Sequence, residues 1–301
     1  MLEAKNVTKT YLKGKKIALE DFSLSVPKGS IYGLLGPNGA GKTTFIRIIN
    51  QILEPDKGEI YIAGKKLAPE HISSIGYMPE ERGLYKNMTI GDQILYFGEL
   101  KGMKRQEALS EAKFWFEKLE IDQWWKKKLS ELSKGMAQKI QFVVTVLHRP
   151  SLLILDEPFS GFDPVNANLI KDQILRLKEE GTTIILSTHR MESVEELCDR
   201  VALINRSKKV LDGKIFNVRE QFKKNIFDVS IEIEDKQKLE VFKNNHNVTN
   251  YFEENGIAFF ELPGETDQNH LLSELVYLGK LRSFTEKIPS MNQVFIEAVG
   301  Q

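Results

Sequence analysis

Cysteine is all but missing from this chain: Cys198 is the only one among 301 residues, so no intrachain disulfide can form. Its amphipathic surroundings predict a buried structural thiol. Long apolar runs are missing as well. No stretch of about 18 uninterrupted apolar residues occurs, so no segment is expected to span a bilayer, and any action on a membrane must pass through a partner. Residues 1–16 hold no apolar run of the kind a signal peptide needs. Neither sign of charge is in excess. The 42 Lys+Arg balance 42 Asp+Glu, which removes the broad basic field that nucleic acid or an anionic membrane would call for. Repeats and low-complexity segments are also absent. With 41% hydrophobic and 28% charged residues, the remainder is ordinary, with length for one large domain or two unequal ones.

Strands are expected at Leu2–Val7 and at Phe22–Val26, where Phe22, Leu24 and Val26 alternate with polar residues. The pattern then changes to a continuous apolar run, Ile31–Leu35, as for a strand covered on both faces. A glycine-rich turn follows, then a helix over Thr43–Leu53 with Phe45, Ile48, Ile49 and Ile52 at helical spacing. Residues 87–150 read as mostly helical, with Leu109, Ala112, Phe116 and Leu119 on one face and Ile140, Val143, Val144 and Leu147 on another. Apolar strands return at Leu152–Leu155 and Thr183–Leu186, separated by a helix bearing Leu169, Ile170, Ile174 and Leu177. Strand–helix–strand alternation predicts an α/β core with a parallel sheet, and the helical block reads as an insertion into it.

Near Gly213–Asn225 a turn and a Lys-rich stretch suggest a domain boundary, giving residues 1–215 and 216–301. Beyond it, Phe227, Val229, Ile231 and Ile233 alternate with polar residues. A helix at Asp235–Asn244, strands at Val248–Phe252 and Ile257–Leu262, a helix carrying Leu271, Leu275 and Leu278, and a weaker strand at Leu281–Thr285 follow. The order βαββαβ predicts a small ferredoxin-like α+β domain. Ser290 is placed to cap a last helix with Met291, Val294, Phe295 and Ala298 on one face.

The chemistry begins at Gly36-Pro37-Asn38-Gly39-Ala40-Gly41-Lys42-Thr43, which fits G-x-x-x-x-G-K-[ST] between a strand and a helix. Glycines let successive backbone N–H groups turn toward phosphates, and the helix N-terminus adds partial positive charge. Lys42 is expected to reach the β- and γ-phosphates, and Thr43 to offer its hydroxyl to Mg²⁺; Thr44 adjoins them. A second element, Leu152–Leu155 followed by Asp156-Glu157-Pro158, is an apolar strand ending in two acids. Beside a phosphate loop, one carboxylate can hold Mg²⁺ and the other can activate water. Strand alternation points Asp156 and Glu157 differently, so they can take different roles. His189 closes the next apolar strand. Alone it would read as a surface or capping histidine, but the neighbouring strand end makes it a candidate for the same site.

A third element, Leu132-Ser133-Lys134-Gly135-Met136, lies between the other two and opens a helix. Alone it is a capping serine with a turn glycine. With the rest in this order, residues of roughly 1–215 resemble the ABC ATPase family, a P-loop NTPase fold, and this segment is similar to its LSGGQ signature. The resemblance implies ATP and Mg²⁺ as ligands, and a dimer in which Ser133 and the Gly135 N–H of one subunit face the γ-phosphate held by the other. It implies that Tyr11 stacks on adenine and that Ser160–Pro164, with Asp163, crosses the dimer interface. It also implies that His189 contacts the γ-phosphate, with Lys42 and Glu157 catalytic. Glu80 stands where the family usually has glutamine; with Thr43 and Asp156 it completes the expected Mg²⁺ donors. Lys134 and Met136 replace a glycine and a glutamine of the signature.

These departures, with the run Glu81–Tyr85, look like the branch serving ABC-2-type exporters, including sodium and multidrug efflux systems. The tail Pro289–Phe295 resembles an accessory C-terminal domain fused to such subunits. The implied partners are an integral membrane permease and a second ATPase subunit, identical or closely related, at the inner face of the cell membrane, with no nucleic acid. Competing readings are a soluble ABC-type ATPase acting on DNA or ribosomes and a module that senses ATP without hydrolysing it. The short gap between loop and signature, and the single ATPase unit, argue against the first. Retention of Lys42, Asp156, Glu157 and His189 argues against the second. The basic run Lys126–Lys128 after Trp124-Trp125 reads as a solvated helix end or a contact for lipid headgroups.

Overall fold

Two sheets with opposite burial patterns organise the first part of the chain in the computed structural model, which describes residues 1–81, 83–264 and 268–300. Strands β1 (Leu2–Tyr11) and β2 (Lys16–Val26) pair antiparallel; alternation buries Leu2, Ala4 and Val7 from one and Phe22, Leu24 and Val26 from the other. Both strands are longer than the apolar pattern alone predicted. Next come β3 (Ile31–Leu35), helix α1 (Lys42–Ile49), β4 (Lys57–Ile62), the short β5 (Lys65–Lys66) and β6 (Ile75–Met78). The run of β4 to β6 was not anticipated. Helix α1 stops short of Leu53 because Asn50 ends it and Gln51 turns left-handed at φ 53°, which leaves Ile52 exposed rather than on the buried face.

Helices α2 (Ile90–Leu100), α3 (Arg105–Leu119) and α4 (Lys134–Val146) form the helical block, with short 3-10 turns at Asp122–Trp124 and Leu129–Glu131. The α3 face turned inward is Ala108, Ala112, Trp115, Phe116 and Leu119, and Leu109 lies outside it. Strand β7 (Leu152–Asp156), α5 (Pro164–Glu179), β8 (Thr183–Ser187), α6 (Met191–Leu197), β9 (Arg200–Asn205) and β10 (Lys208–Lys214) complete the core.

The six-stranded sheet has the order β10-β9-β3-β8-β7-β6 and is parallel except for the β9–β10 pair. All residues of β3, β7 and β8 are buried, as continuous apolar runs require. The antiparallel sheet, ordered β2-β1-β4-β5, shares one apolar core with α1 and the parallel sheet; Phe22 and Phe45 meet edge to face at 4.7 Å. Cys198 is buried, and burial pushes its thiol pKa up.

Contacts divide the chain into two compact units: Met1–Ile215 together with Phe295–Gln301, and Phe216–Val294. The stretch anticipated as a turn and linker carries helix α7 (Ile215–Gln221). The second unit contains β11 (Ile226–Ile233), α8 (Lys236–Asn245), β12 (Thr249–Glu254), β13 (Ile257–Pro263), α9 (Gln268–Leu278) and β14 (Gly279–Glu286). Its sheet is antiparallel with the order β12-β13-β11-β14, the ferredoxin-like arrangement expected from βαββαβ. Val229, Ile231, Phe260 and Leu262 pack beneath Leu239, Phe242, Leu271 and Leu275. Ser290 caps the last helix, α10 (Met291–Gly300), accepting the Gln293 N–H at 3.3 Å.

Candidate functional site

The parallel sheet delivers the polar residues to one end. β3 runs directly into the phosphate loop, where two glycines are dictated by space. At Gly36 (φ 149°) an added Cβ would sit 2.2 Å from the Ile204 carbonyl oxygen. At Gly41 (φ 124°) it would sit 2.4 Å from that of Ala18. Gly41 also starts α1 with no side-chain cap, so the first N–H groups of the helix are left for a ligand. Lys42 folds back over the loop, its Nζ donating to the carbonyls of Gly36 (2.5 Å) and Pro37 (3.1 Å). Burial lowers the Lys42 pKa, against the opposing pull of Asp156, Glu157 and Glu80.

Those carboxylates come from the neighbouring strand ends. Asp156 closes β7 and is buried; burial raises its pKa, and Glu157 and Glu80 add to the rise. Glu157 follows in a left-handed turn at φ 50°, its N–H bonded to the Ser187 carbonyl at the end of β8. The Glu157 carboxylate is held on both oxygens. Oε1 accepts the His189 backbone N–H at 2.9 Å and lies 2.8 Å from the His189 ring Nδ1, while Oε2 accepts the Thr188 hydroxyl at 3.1 Å.

These groups share a cleft of about 250 Å³. Lys42, Thr43, Thr44, Asp156, Glu157 and His189 line it; so do Tyr11, Asn38, Gly39, Gly41 and Glu80. The Tyr11 hydroxyl lies 3.3 Å from Thr44 Oγ1. Gly36 is behind the lining, as a carbonyl partner of Lys42. Thr43, Asp156 and Glu80 present only hard oxygen donors, the set suited to a Mg²⁺ that keeps water and phosphate oxygens in its shell. Among the described residues no three or more of His, Cys, Asp and Glu gather into a ready metal cage.

Three expected contacts lie outside this cleft. Ser133 caps α4 with its hydroxyl, 3.3 Å from the Met136 N–H, and is exposed. Gly135 lies against Gly161 and Phe162, so the signature segment and the Ser160–Asp163 loop touch. Asp163 caps α5, accepting the Asn166 N–H at 2.9 Å.

Several supporting residues escaped the sequence reading. Thr188 orients Glu157, and Lys16, opposite Tyr11 in the β1–β2 register, lines the cleft with Ala18. Gln138 donates to the Pro158 carbonyl at 3.3 Å and Gln141 to that of Pro79 at 2.8 Å. Helix α4 therefore holds the chain just after Glu157 and just before Glu80. Two glutamines at helical spacing among the apolar residues of α4 were the available signal for this link.

A phosphate loop between a parallel strand and a helix, facing strand-end carboxylates across one cleft, defines a P-loop nucleoside triphosphatase. The family model described as ABC transporter matches residues 19–160, and one described as ATP-binding protein DrrA1-3-like, C-terminal domain, matches residues 213–299. The ABC transporter ATP-binding protein YhaQ of Bacillus subtilis is 40% identical over 300 residues, covering 100% of this chain and 99% of that protein. NatA, an ABC transporter ATP-binding protein of the same organism, is 34% identical over 73% of this chain and 92% of its own. A solved ATP-binding subunit of an ABC transporter superposes with a TM-score of 0.69 at 30% identity, covering 74% of this chain and 93% of that one. This chain belongs to the ABC transporter ATP-binding proteins. Its nucleotide is ATP, and it is an ATPase.

Proposed function

We propose that this chain is the ATP-hydrolysing subunit of an ABC exporter, and that its cleft is one half of a site completed by a second ATPase subunit, identical or closely related. The observation that carries the reading is the separation within one chain. Lys42, Asp156 and Glu157 share a cleft that Ser133, Gly135 and Asp163 do not line. A second subunit brings its own signature helix over the open γ-phosphate end. Export is inferred from relatives that include the linearmycin resistance ATP-binding protein LnrL and the lantibiotic transport ATP-binding protein SrtF. Residues 216–301 act as an accessory domain.

In this reading the loop N–H groups and Lys42 hold the β- and γ-phosphates. Lys42 exchanges its carbonyl partners for phosphate oxygens, which remain favourable for a half-buried ammonium. Tyr11 stacks on adenine. Glu157 accepts the proton of the attacking water; Thr188 and the His189 N–H fix its carboxylate, and His189 stands beside the γ-phosphate. Thr43, Asp156 and Glu80 would hold Mg²⁺, which would supply positive charge at the phosphate oxygens.

The α4 glutamines give closure a mechanical route to the helical block. A 610 Å³ groove lined by Ile52, Tyr77, Leu84, Phe97, Leu100 and Val144 supports docking of a membrane permease there. Ile52 and Leu100 are 58% and 63% exposed on its rim. The Glu81–Tyr85 run borders it, with Arg82 outside the described residues. No helix among the described residues is long and apolar enough to cross a membrane. The permease would hold the subunit at the inner face of the cell membrane.

The test is phosphate release from ATP by the purified chain, together with its mass in ATP and in ADP. ATP-dependent turnover and ATP-dependent dimers are expected. A chain that binds ATP without turnover, or stays monomeric in saturating ATP as a Glu157→Gln variant, would contradict the reading.

A further inference from the structure

Tyr11 sits at a weak point of the fold. It is the last residue of β1, and the register with β2 shifts between Val7 and Lys9 and again between Lys9 and Thr10. Pairing with β4 ends at Thr8 opposite Lys57. The ladder therefore gives the two residues before Tyr11 little support on the β4 side. One carboxylate stands in for it. Asp56, just before β4, accepts the Thr10 backbone N–H and the Thr10 hydroxyl on Oδ2, both at 2.7 Å. Its Oδ1 accepts Lys9 Nζ at 2.8 Å, and its own N–H donates to the Thr8 carbonyl at 2.8 Å. The Lys9 and Thr10 hydrogen bonds hold its pKa down to about 2, so the carboxylate is ionised at any working pH.

We propose that Asp56 is a positioning residue for the base-binding end of the ATP cleft: it fixes the Lys9-Thr10 backbone and so sets the ring of Tyr11. Asp56 does not line the cleft, and the phosphate-binding residues belong to α1 and its loop. Tyr11 is thus held from two sides, by Asp56 through the backbone and by Thr44 beside its hydroxyl. Loss of Asp56 frees the Tyr11 end of β1 while leaving the phosphate loop in place. Affinity for the base should fall, and affinity for the phosphate chain should not. The inference rests on the reading of Tyr11 as the adenine platform, and the test separates the two.

Binding of ATP and of inorganic tripolyphosphate, which has no base, is measured for the unaltered chain and for Asp56→Ala, Asp56→Asn and Tyr11→Ala. Asp56→Ala should raise the ATP dissociation constant and KM about fivefold to tenfold, the lower end of what losing a base–aromatic stack allows, because the ring is displaced and not removed. Tripolyphosphate binding and kcat at saturating ATP should stay within about twofold, below the effect of any removed phosphate contact. Asp56→Asn should recover most of the ATP affinity, because an amide oxygen still accepts from Thr10. ATP affinity unchanged in Asp56→Ala while Tyr11→Ala weakens it would overturn the positioning role alone. Equal weakening of ATP and tripolyphosphate would do the same, since the disturbance would then be general. An unaltered chain that binds no ATP, or a Tyr11→Ala variant with full affinity, would remove the platform reading and this inference together.

Discussion

Replacing Glu157 by glutamine separates nucleotide binding from hydrolysis. The side chain is fixed by three groups: the His189 N–H at 2.9 Å, the His189 ring nitrogen at 2.8 Å and the Thr188 hydroxyl at 3.1 Å. The introduced amide oxygen can still accept the His189 N–H. Its NH₂ group faces Thr188, whose hydroxyl can rotate to accept instead of donate. The fold should therefore lose no more than about 1 kcal/mol, the value of one ordinary hydrogen bond. Binding should hold or tighten, because Lys42 and the loop are untouched and one negative charge leaves a cleft that also contains Asp156 and Glu80. Only the proton acceptor is gone. A positioned base is worth about 10² or more in rate, which adds about 2.7 kcal/mol or more to the barrier. Phosphate release at saturating ATP, beside equilibrium ATP binding and a thermal melt, reads all three quantities. Turnover within tenfold of the unaltered chain, with intact binding, would refute Glu157 as the base.

Other perturbations test the surrounding structure. Lys42→Ala should weaken ATP binding by at least about tenfold in calorimetry, because it removes the charge-assisted phosphate donor. Gly41→Ala should destabilise the first unit by about 2–4 kcal/mol in chemical unfolding, since its Cβ would lie 2.4 Å from the Ala18 oxygen at φ 124°. His148, lining the groove beside Lys101, has its pKa lowered to about 4 by burial first and by that ammonium second. The unfolded chain takes up this proton near pH 6.5 and the folded chain only near pH 4, so the stability tied to His148 is complete above pH 6.5 and is lost as pH falls toward 4. His148→Gln should flatten the melting temperature across that window, removing up to about 3 kcal/mol of pH dependence.

The sequence made the central α/β core legible because β3, β7 and β8 are continuous apolar runs and the phosphate loop follows one of them. The second unit was legible for a different reason. Strand β11 alternates apolar with polar residues, and Asp235 and Ser290 mark helix starts, so the topology followed from element order. The region of β4 to β6 was hidden. In β4 only Ile60 and Ile62 alternate inward, too short a run to stand out, and β5 is only two residues long. Leu109 and Ile52 show the limit of spacing, which finds a helix face but not where the helix stops or how it is rotated. At the site, the motifs brought out the residues that would touch the nucleotide. The residues that position them act across long sequence distances: Asp56 is 46 residues from Thr10, and Thr188 is 31 from Glu157. No local pattern encodes such pairs.

A nucleotide-bound structure of the Glu157→Gln variant tests the shared site most directly. Two chains should lie head to tail around two ATP molecules, with the hydroxyl of Ser133 of the partner subunit in hydrogen-bonding reach of each γ-phosphate held by Lys42. Two chains whose signature helices lie remote from both triphosphates, in every pairing the molecule adopts, would contradict it.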